Sequence, residues 1–116
     1  MLFDVSIACA IDRRATVVRV VGEVDISTRD ALIATIDRAA GFGGPLVLDL
    51  AGVTFFSAAG VHCIEHADRL MACAGHPLRI VVRPTGPVMV VLDVVRPVRR
   101  WSIETGPADE RSAPAS

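Results

Sequence analysis

Lysine and tyrosine are absent from this sequence, and aromatic residues of any kind are few. All 12 basic residues are therefore arginines, which are spread along the chain and offset by 13 acidic residues, for a formal net charge of −1. Proteins that bind nucleic acid need a basic stripe that neutralises phosphates and releases counterions. The sequence has no such stripe, and we predict that nucleic acid is not a partner.

The sequence also lacks a long apolar run. Its most apolar stretch, residues 88–95, is far too short to span a bilayer and contains Asp93. The first four residues have neither the positive start nor the apolar core of a signal peptide. Three cysteines, an odd number, are more typical of reduced thiols than of a disulfide framework. These absences predict a cytoplasmic protein without membrane insertion.

Aliphatic residues are what the chain has in abundance. Hydrophobic residues make up 52% of the 116 residues and charged residues 22%, a balance that suits one folded domain. With only four Phe and one Trp, the core must consist mainly of Val, Ile, Leu and Ala. Proline, small and charged residues follow near the C-terminus. We therefore predict a domain over residues 1–104 and a flexible tail over 105–116.

The first half of the chain predicts a β-hairpin followed by a helix. Apolar and polar residues alternate over 3–11, which is the period of a half-buried strand, and β-branched residues fill a second strand at 16–21. Residues 25–28 offer side chains that cap helices. Three glycines within 41–44 would end the helix that follows. The apolar face of this helix consists of Leu32, Ile36, Ala39 and Ala40.

The second half alternates strands with helices. Strands are predicted at 45–50 and 78–82, a helix at 88–95 after Pro87, and an edge strand at 98–103. Between the first two strands, Ser57 would cap a helix that ends at Ala74, before Gly75. The apolar side of this helix consists of Val61, Cys63, Ile64, Ala67, Leu70, Met71 and Ala74. The order β-β-α-β-α-β-α-β predicts a single α/β domain, with a mixed sheet of four to five strands carrying three helices.

Three segments in this order resemble the STAS domain of anti-sigma factor antagonists. Gly22-Glu23-Val24-Asp25 is similar to the family's G-E-x-D, and residues 46–53 are similar to its buried strand and the Gly-Val that follows. Residues 54–61, Thr-Phe-Phe-Ser-Ala-Ala-Gly-Val, lie where the family carries F-x-D-S-S-G-L. The resemblance covers residues 3–103 and implies a STAS-like fold.

The resemblance also implies a function, partner switching. Antagonists of this family bind an anti-sigma factor that is also a serine kinase, and phosphorylation of the second Ser of D-S-S-G breaks the complex. Here Ser57 occupies the Asp position, whereas Ala58 and Ala59 occupy the two Ser positions. Ala59 has no hydroxyl, so the usual phosphoacceptor is lost. Ser57 is either a displaced phosphoacceptor or the N-cap of the helix that begins there.

The resemblance further implies a partner-binding surface and no chemistry by this chain. We expect a non-enzymatic protein without catalytic residues, metal or cofactor, whose partner is an anti-sigma factor of the serine-kinase type. Glu23 and Asp25 have a second interpretation, as loop carboxylates near a helix N-terminus. Homodimerisation through the edge of the sheet is a further expectation. The predicted partner-binding residues are Glu23, Asp25, Ser27, Ser57, Ala58, Ala59, Gly60 and His62.

Two other functions are compatible with parts of the sequence. Loss of the phosphosite suits the STAS subunit of a bacterial ABC lipid transporter, where regulation need not use D-S-S-G. His62-Cys63-Ile64-Glu65-His66 matches H-x-x-E-H, a zinc-peptidase pattern that places two histidines on one helical face. A domain this small offers little room for a third ligand and a cleft, so we expect a solvated or partner-facing helix surface instead.

Overall fold

The alternating residues at the start of the chain form the predicted hairpin. In the computed structural model, which describes residues 3–10, 14–96 and 100–106, strand β1 (Phe3–Ala10) pairs antiparallel with β2 (Ala15–Val24). The register sets Phe3 opposite Gly22 and Ala10 opposite Ala15.

The rest of the sheet is parallel. Strands β3 (Leu46–Phe56), β4 (Leu78–Val82) and β5 (Ser102–Thr105) follow β2 in the spatial order β1-β2-β3-β4-β5. The connections contain the three helices α1 (Arg29–Ala40), α2 (Ala58–Ala74) and α3 (Pro87–Val95). Such crossovers between parallel neighbours are right-handed as a rule, which places all three helices on one face of the sheet, and residues of all three helices join one core cluster. This confirms the predicted α/β domain with a mixed sheet.

The core is aliphatic, as the scarcity of aromatic residues predicted. Alternate residues of the central strands face the helices, because side chains of a strand point to opposite faces in turn. Helix residues at i, i+3 and i+4 spacing cover them. The largest fully buried side chains include Val18, Val20, Leu48, Leu50 and Ile80 from the sheet and Leu32, Ile36, Ile64, Met71 and Leu92 from the helices.

Strand β3 ends at Phe56, six residues later than predicted, because the sequence around Gly52 resembles a turn and the prediction ended the strand before it. Instead, β3 stays paired with β2 through two register shifts. A Cβ on Gly52 would lie 3.1 Å from Val21 Cγ2, so glycine suits this close approach of the two strands. At the first shift the Ala51 N–H donates to the Asp49 carboxylate at 3.1 Å. As a result, β2 and β3 extend together beyond the end of β4.

The buried carboxylate of Asp49 has a charged neighbour. Its side chain is 3% exposed, and its Oδ2 lies 3.4 Å from Nε of Arg19, the residue opposite it on β2. Arg79 of β4 forms a diagonal ion pair with Glu104 of β5, since the residue directly opposite Arg79 is Ser102. These ion pairs lie on the sheet face away from the aliphatic core and join neighbouring strands.

Several element ends differ from the prediction. Ala74 was expected on the apolar side of α2 but is exposed, since it lies in the last turn before Gly75, whose φ of 75° ends the helix. Strand β5 ends at Thr105, whose neighbour Gly106 donates its N–H to Val82 O at 2.8 Å. Residues 98 and 99 of the predicted edge strand and 107–116 of the predicted tail lie outside the described residues.

Candidate partner-binding site

The loop between β2 and α1 is held by its own side chains. Asp25 Oδ1 accepts hydrogen bonds from the Ser27 N–H at 2.9 Å, the Ser27 hydroxyl at 2.6 Å and the Thr28 N–H at 3.2 Å. Thr28 Oγ1 in turn accepts from the Asp25 N–H and donates to Glu23 O, both at 3.0 Å. The hydrogen bond from the Ser27 hydroxyl is the main reason that the pKa of Asp25 lies below its usual range. The loop therefore presents an ionised carboxylate from a well-defined turn.

The start of α2 is fixed beside this loop by backbone and side-chain hydrogen bonds. Ser57 donates its N–H to Val24 O at 3.0 Å, which ties the end of β3 to the end of β2. The Ser57 hydroxyl accepts from the Ala59 N–H at 3.2 Å, so Ser57 is the N-cap of α2, as one of its two interpretations predicted. Gly60 packs directly under the ring of Phe56. The first turn of α2 is thereby positioned against both strands.

These two segments form the walls of an open groove. It encloses about 630 Å³ between the β2–α1 loop and the first two turns of α2. Ile26 and Phe55 are large hydrophobic residues that line it and remain 68% and 50% exposed. The complete lining is Asp25, Ile26, Ser27, Arg29, Phe55, Ser57, Ala58, Ala59 and His62.

The structure brings together most of the residues that the sequence nominated. Six of the eight predicted residues line the groove, whereas Glu23 and Gly60 do not. Glu23 is half-buried at the end of β2, and its carbonyl accepts from Thr28. Gly60 is buried, and a Cβ there would lie 2.3 Å from Phe56 Cε1. Because Gly60 has no side chain, α2 can approach the ring of Phe56 closely.

Three residues of the groove were missed by the sequence analysis. Ile26 is an apolar residue within the polar stretch Asp25-Ile26-Ser27-Thr28, and that contrast was the available signal. Phe55 and Arg29 gave no signal, because their exposure depends on how the end of β3 and the start of α1 meet. An exposed apolar pair from two different segments is a feature of the tertiary structure.

Ser57 and Cys63, at the start of α2, are two side chains that could act as nucleophiles. Among the described residues, no hydrogen bond joins Ser57 to His62, and the hydroxyl of Ser57 already accepts from Ala59. Burial raises the pKa of the Cys63 thiol to about 11, so this cysteine stays protonated and poorly nucleophilic at neutral pH. In the described structure, neither the hydrogen bond of Ser57 nor the burial of Cys63 activates that side chain as a nucleophile.

The H-x-x-E-H pattern does not assemble a metal centre in the part of the chain that the structure describes. His66 Nε2 lies 2.7 Å from Asp37 Oδ1 and joins α2 to α1, whereas His62 faces the groove. Over residues 3–10, 14–96 and 100–106, no cluster of three His, Cys, Asp or Glu side chains could hold a metal ion. In the same ranges, no helix is both long and apolar enough to cross a membrane.

Comparison with known families gives one match that covers most of the chain. The family model described as Mlab, STAS domain matches residues 7–96. The match includes the β2–α1 loop and α2, which form the groove. A search of curated protein sequences gives no match.

Solved structures share the fold at low sequence identity. An anti-sigma factor antagonist from Mycobacterium paratuberculosis superposes with a TM-score of 0.79 at 19% identity, covering 99% of this chain and 96% of that one. The anti-sigma factor antagonist SpoIIAA in its unphosphorylated form gives 0.66 at 16% identity, covering 98% and 97%. An antisigma-factor antagonist STAS domain from Rhodobacter sphaeroides gives 0.55 at 21% identity, covering 68% and 85%.

Proposed function

Because this chain belongs to the STAS domain family, we propose that it is a non-enzymatic cytoplasmic regulator that binds an anti-sigma factor through the groove beside α2. The proteins of known structure that share its fold include anti-sigma factor antagonists. Binding of such a partner would free the sigma factor that the anti-sigma factor otherwise holds.

The observation that supports this proposal most directly is the composition of the groove. Its two large exposed hydrophobic residues, Ile26 and Phe55, line it together with the small residue Ala58. Asp25 and Arg29 add polar groups of opposite sign to the lining. Protein interfaces commonly combine buried apolar anchors with a polar rim, and a few such anchors contribute most of the affinity. We expect Ile26 and Phe55 to be these anchors.

We further propose that binding at this groove is not controlled by phosphorylation. Ala59 occupies the position of the family's phosphoacceptor and has no hydroxyl. A phosphate there would add a charge of about −1.5 to −2 to a surface that packs on a partner. Ser57 does have a hydroxyl, but that hydroxyl accepts a hydrogen bond from Ala59 and caps α2. The chain would therefore bind its partner constitutively.

A capture experiment with matched charge variants tests the partner and the surface. Ala58→Glu places a carboxylate in the groove, at the first residue of α2, where the helix dipole favours a negative charge and the fold should persist. Ala34→Glu is the control, since Ala34 is exposed on α1 and does not line the groove. Wild type and Ala34→Glu should recover an anti-sigma factor from the source cytosol. Ala58→Glu should recover at least about tenfold less.

Two results of this experiment would contradict the proposal. Recovery of an ABC ATPase in place of an anti-sigma factor would favour the transporter function. Equal recovery of the anti-sigma factor by Ala58→Glu and wild type would place the interface elsewhere on the chain.

A phosphorylation assay tests the loss of the switch separately. The recovered anti-sigma factor and ATP are incubated with wild type, with Ala59→Ser and with Ser57→Ala, and intact-mass spectrometry counts the phosphates. We expect no phosphate on wild type and one on Ala59→Ser, because that substitution restores the family's acceptor. Phosphate on Ser57 of wild type would show a displaced switch, and an unmodified Ala59→Ser would contradict a kinase-type partner.

A further inference from the structure

A second cleft lies at the end of the sheet opposite the groove, where β4 and β5 begin. It opens between the C-terminal half of α2 and the start of β5, and it encloses about 300 Å³. Helix α3 has nine residues and α2 has 17, or about 13 Å against about 25 Å, so α3 is too short to flank α2 over its whole length. The lining of the cleft includes Asp68, Met71, His76, Leu78, Arg100 and Trp101.

The inner part of this cleft is apolar. Met71 is buried, and Leu78 and Trp101 are partly buried and pack against the core. Trp101 is the one tryptophan of the chain, and it remains partly exposed. An aromatic ring of this kind offers a ligand a large apolar surface. The volume is at the lower end of the range for ligand pockets, so the cleft suits a small molecule with one apolar group.

Three titratable side chains surround the apolar part. Asp68 belongs to α2, His76 lies between α2 and β4, and Arg100 precedes β5. None of the three makes an ion pair or a side-chain hydrogen bond with another residue in the part of the chain that the structure describes. Asp68 and Arg100 therefore bring opposite charges, each without an internal partner among the described residues, to the same small cleft. A ligand that carries both charges can pair with both side chains.

We propose that this cleft binds a free amino acid with a large apolar side chain. Arg100 holds the carboxylate, because a guanidinium can donate two parallel N–H groups to the two carboxylate oxygens. Asp68 pairs with the ammonium group, and the apolar side chain of the ligand lies against Trp101. A peptide terminus carries only one of the two charged groups, so the free amino acid is the better match. The cleft shares no residue with the groove beside α2, and its role is independent of the proposed function.

Titration of the full chain with L-phenylalanine tests the site. Because Trp101 is the one tryptophan and the chain has no tyrosine, its fluorescence reports on the cleft alone. We expect the emission to shift with a dissociation constant on the order of 1 mM, as suits so small a ligand. Amide shifts in nitrogen-15 NMR spectra provide a second readout. Phenylpropionate lacks the ammonium group and phenethylamine lacks the carboxylate, so each should bind at least about tenfold more weakly.

Two variants assign the charged contacts. Arg100→Gln should weaken phenylalanine binding at least about tenfold and leave phenethylamine binding unchanged. Asp68→Asn should weaken phenylalanine binding to a similar extent and leave phenylpropionate binding unchanged. Arg69→Gln is the control, since Arg69 is exposed on α2 and does not line the cleft. Far-UV circular dichroism confirms the fold of each variant.

Three results would overturn the proposal. The first is no response to L-phenylalanine up to about 50 mM in either fluorescence or NMR. The second is binding of phenylpropionate or phenethylamine as tightly as phenylalanine, because the cleft would then not recognise both charges. The third is unchanged phenylalanine binding by Arg100→Gln and Asp68→Asn.

Discussion

Replacing Gly60 with alanine should destabilise the protein, although the same change stabilises most helices. An added Cβ would lie 2.3, 2.5 and 2.7 Å from Cε1, Cζ and Cδ1 of Phe56, far inside the 3.5–4.0 Å that suits two carbons. Overpacking of a buried site costs about 1–3 kcal/mol, and this contact is severe enough for the upper end. Alanine regains about 1 kcal/mol of helix propensity over glycine. The net loss should be about 2 kcal/mol.

Urea unfolding of Gly60→Ala measures this loss directly, and the melting temperature should fall by about 8 °C. Phe56→Leu supplies the matched background, because a shorter side chain leaves room for the new methyl group. In that background, Gly60→Ala should be close to neutral or stabilising. An increase in stability of about 1 kcal/mol in the wild-type background would refute the close contact between Gly60 and Phe56. It would also refute the position that this contact gives α2 at the groove.

Three further predictions follow from the geometry of the site. Ser57→Ala removes the N-cap of α2 and should lower the free energy of unfolding by about 1 kcal/mol, and an unchanged urea midpoint would contradict the cap. Ser27→Ala should raise the pKa of Asp25 in a carbon-13 NMR titration, because the Ser27 hydroxyl is the main cause of its lowering. An unchanged pKa of Asp25 in Ser27→Ala would show that the Ser27 hydroxyl is not the cause. Because the folded-state pKa of Asp25 is lowered, the stability that its ionised carboxylate contributes is present above the unfolded-state pKa and is lost as the pH falls through the folded-state pKa. Native alkylation at pH 8, resolved by peptide mass spectrometry, should modify Cys63 at least about tenfold more slowly than exposed Cys73, and equal rates would show that Cys63 is not protected.

The sequence was sufficient for the fold wherever local signals and tertiary structure agree. Helix α2 has a capping serine at its start, an apolar face along its length and a left-handed glycine at its end. Each signal acts within a few residues, so its limits could be predicted closely. Strand β3 shows the opposite case. Gly52 resembles a turn locally, but pairing with β2 through register shifts continues the strand to Phe56. Local patterns do not contain that long-range pairing.

The sequence predicted the motifs of the candidate site but did not predict its apolar anchors, Ile26 and Phe55. Residues around Asp25 and Ser57 could be nominated from short segments that resemble the STAS family. That these segments meet depends on the hydrogen bond from Ser57 to Val24, which joins two strands distant in sequence. The exposure of Ile26 and Phe55 follows from this meeting. Apolar residues of this kind are expected in a core until a structure shows which ones remain at the surface.

Calorimetric titration of the purified anti-sigma factor into this chain, with and without prior incubation of both with ATP, tests the central claim most directly. We expect wild type to bind with the same affinity in both conditions, because Ala59 accepts no phosphate, and Ala58→Glu to bind at least about tenfold more weakly in both. Loss of wild-type binding after ATP treatment would contradict constitutive binding. Unchanged binding of Ala58→Glu would contradict the groove beside α2 as the interface.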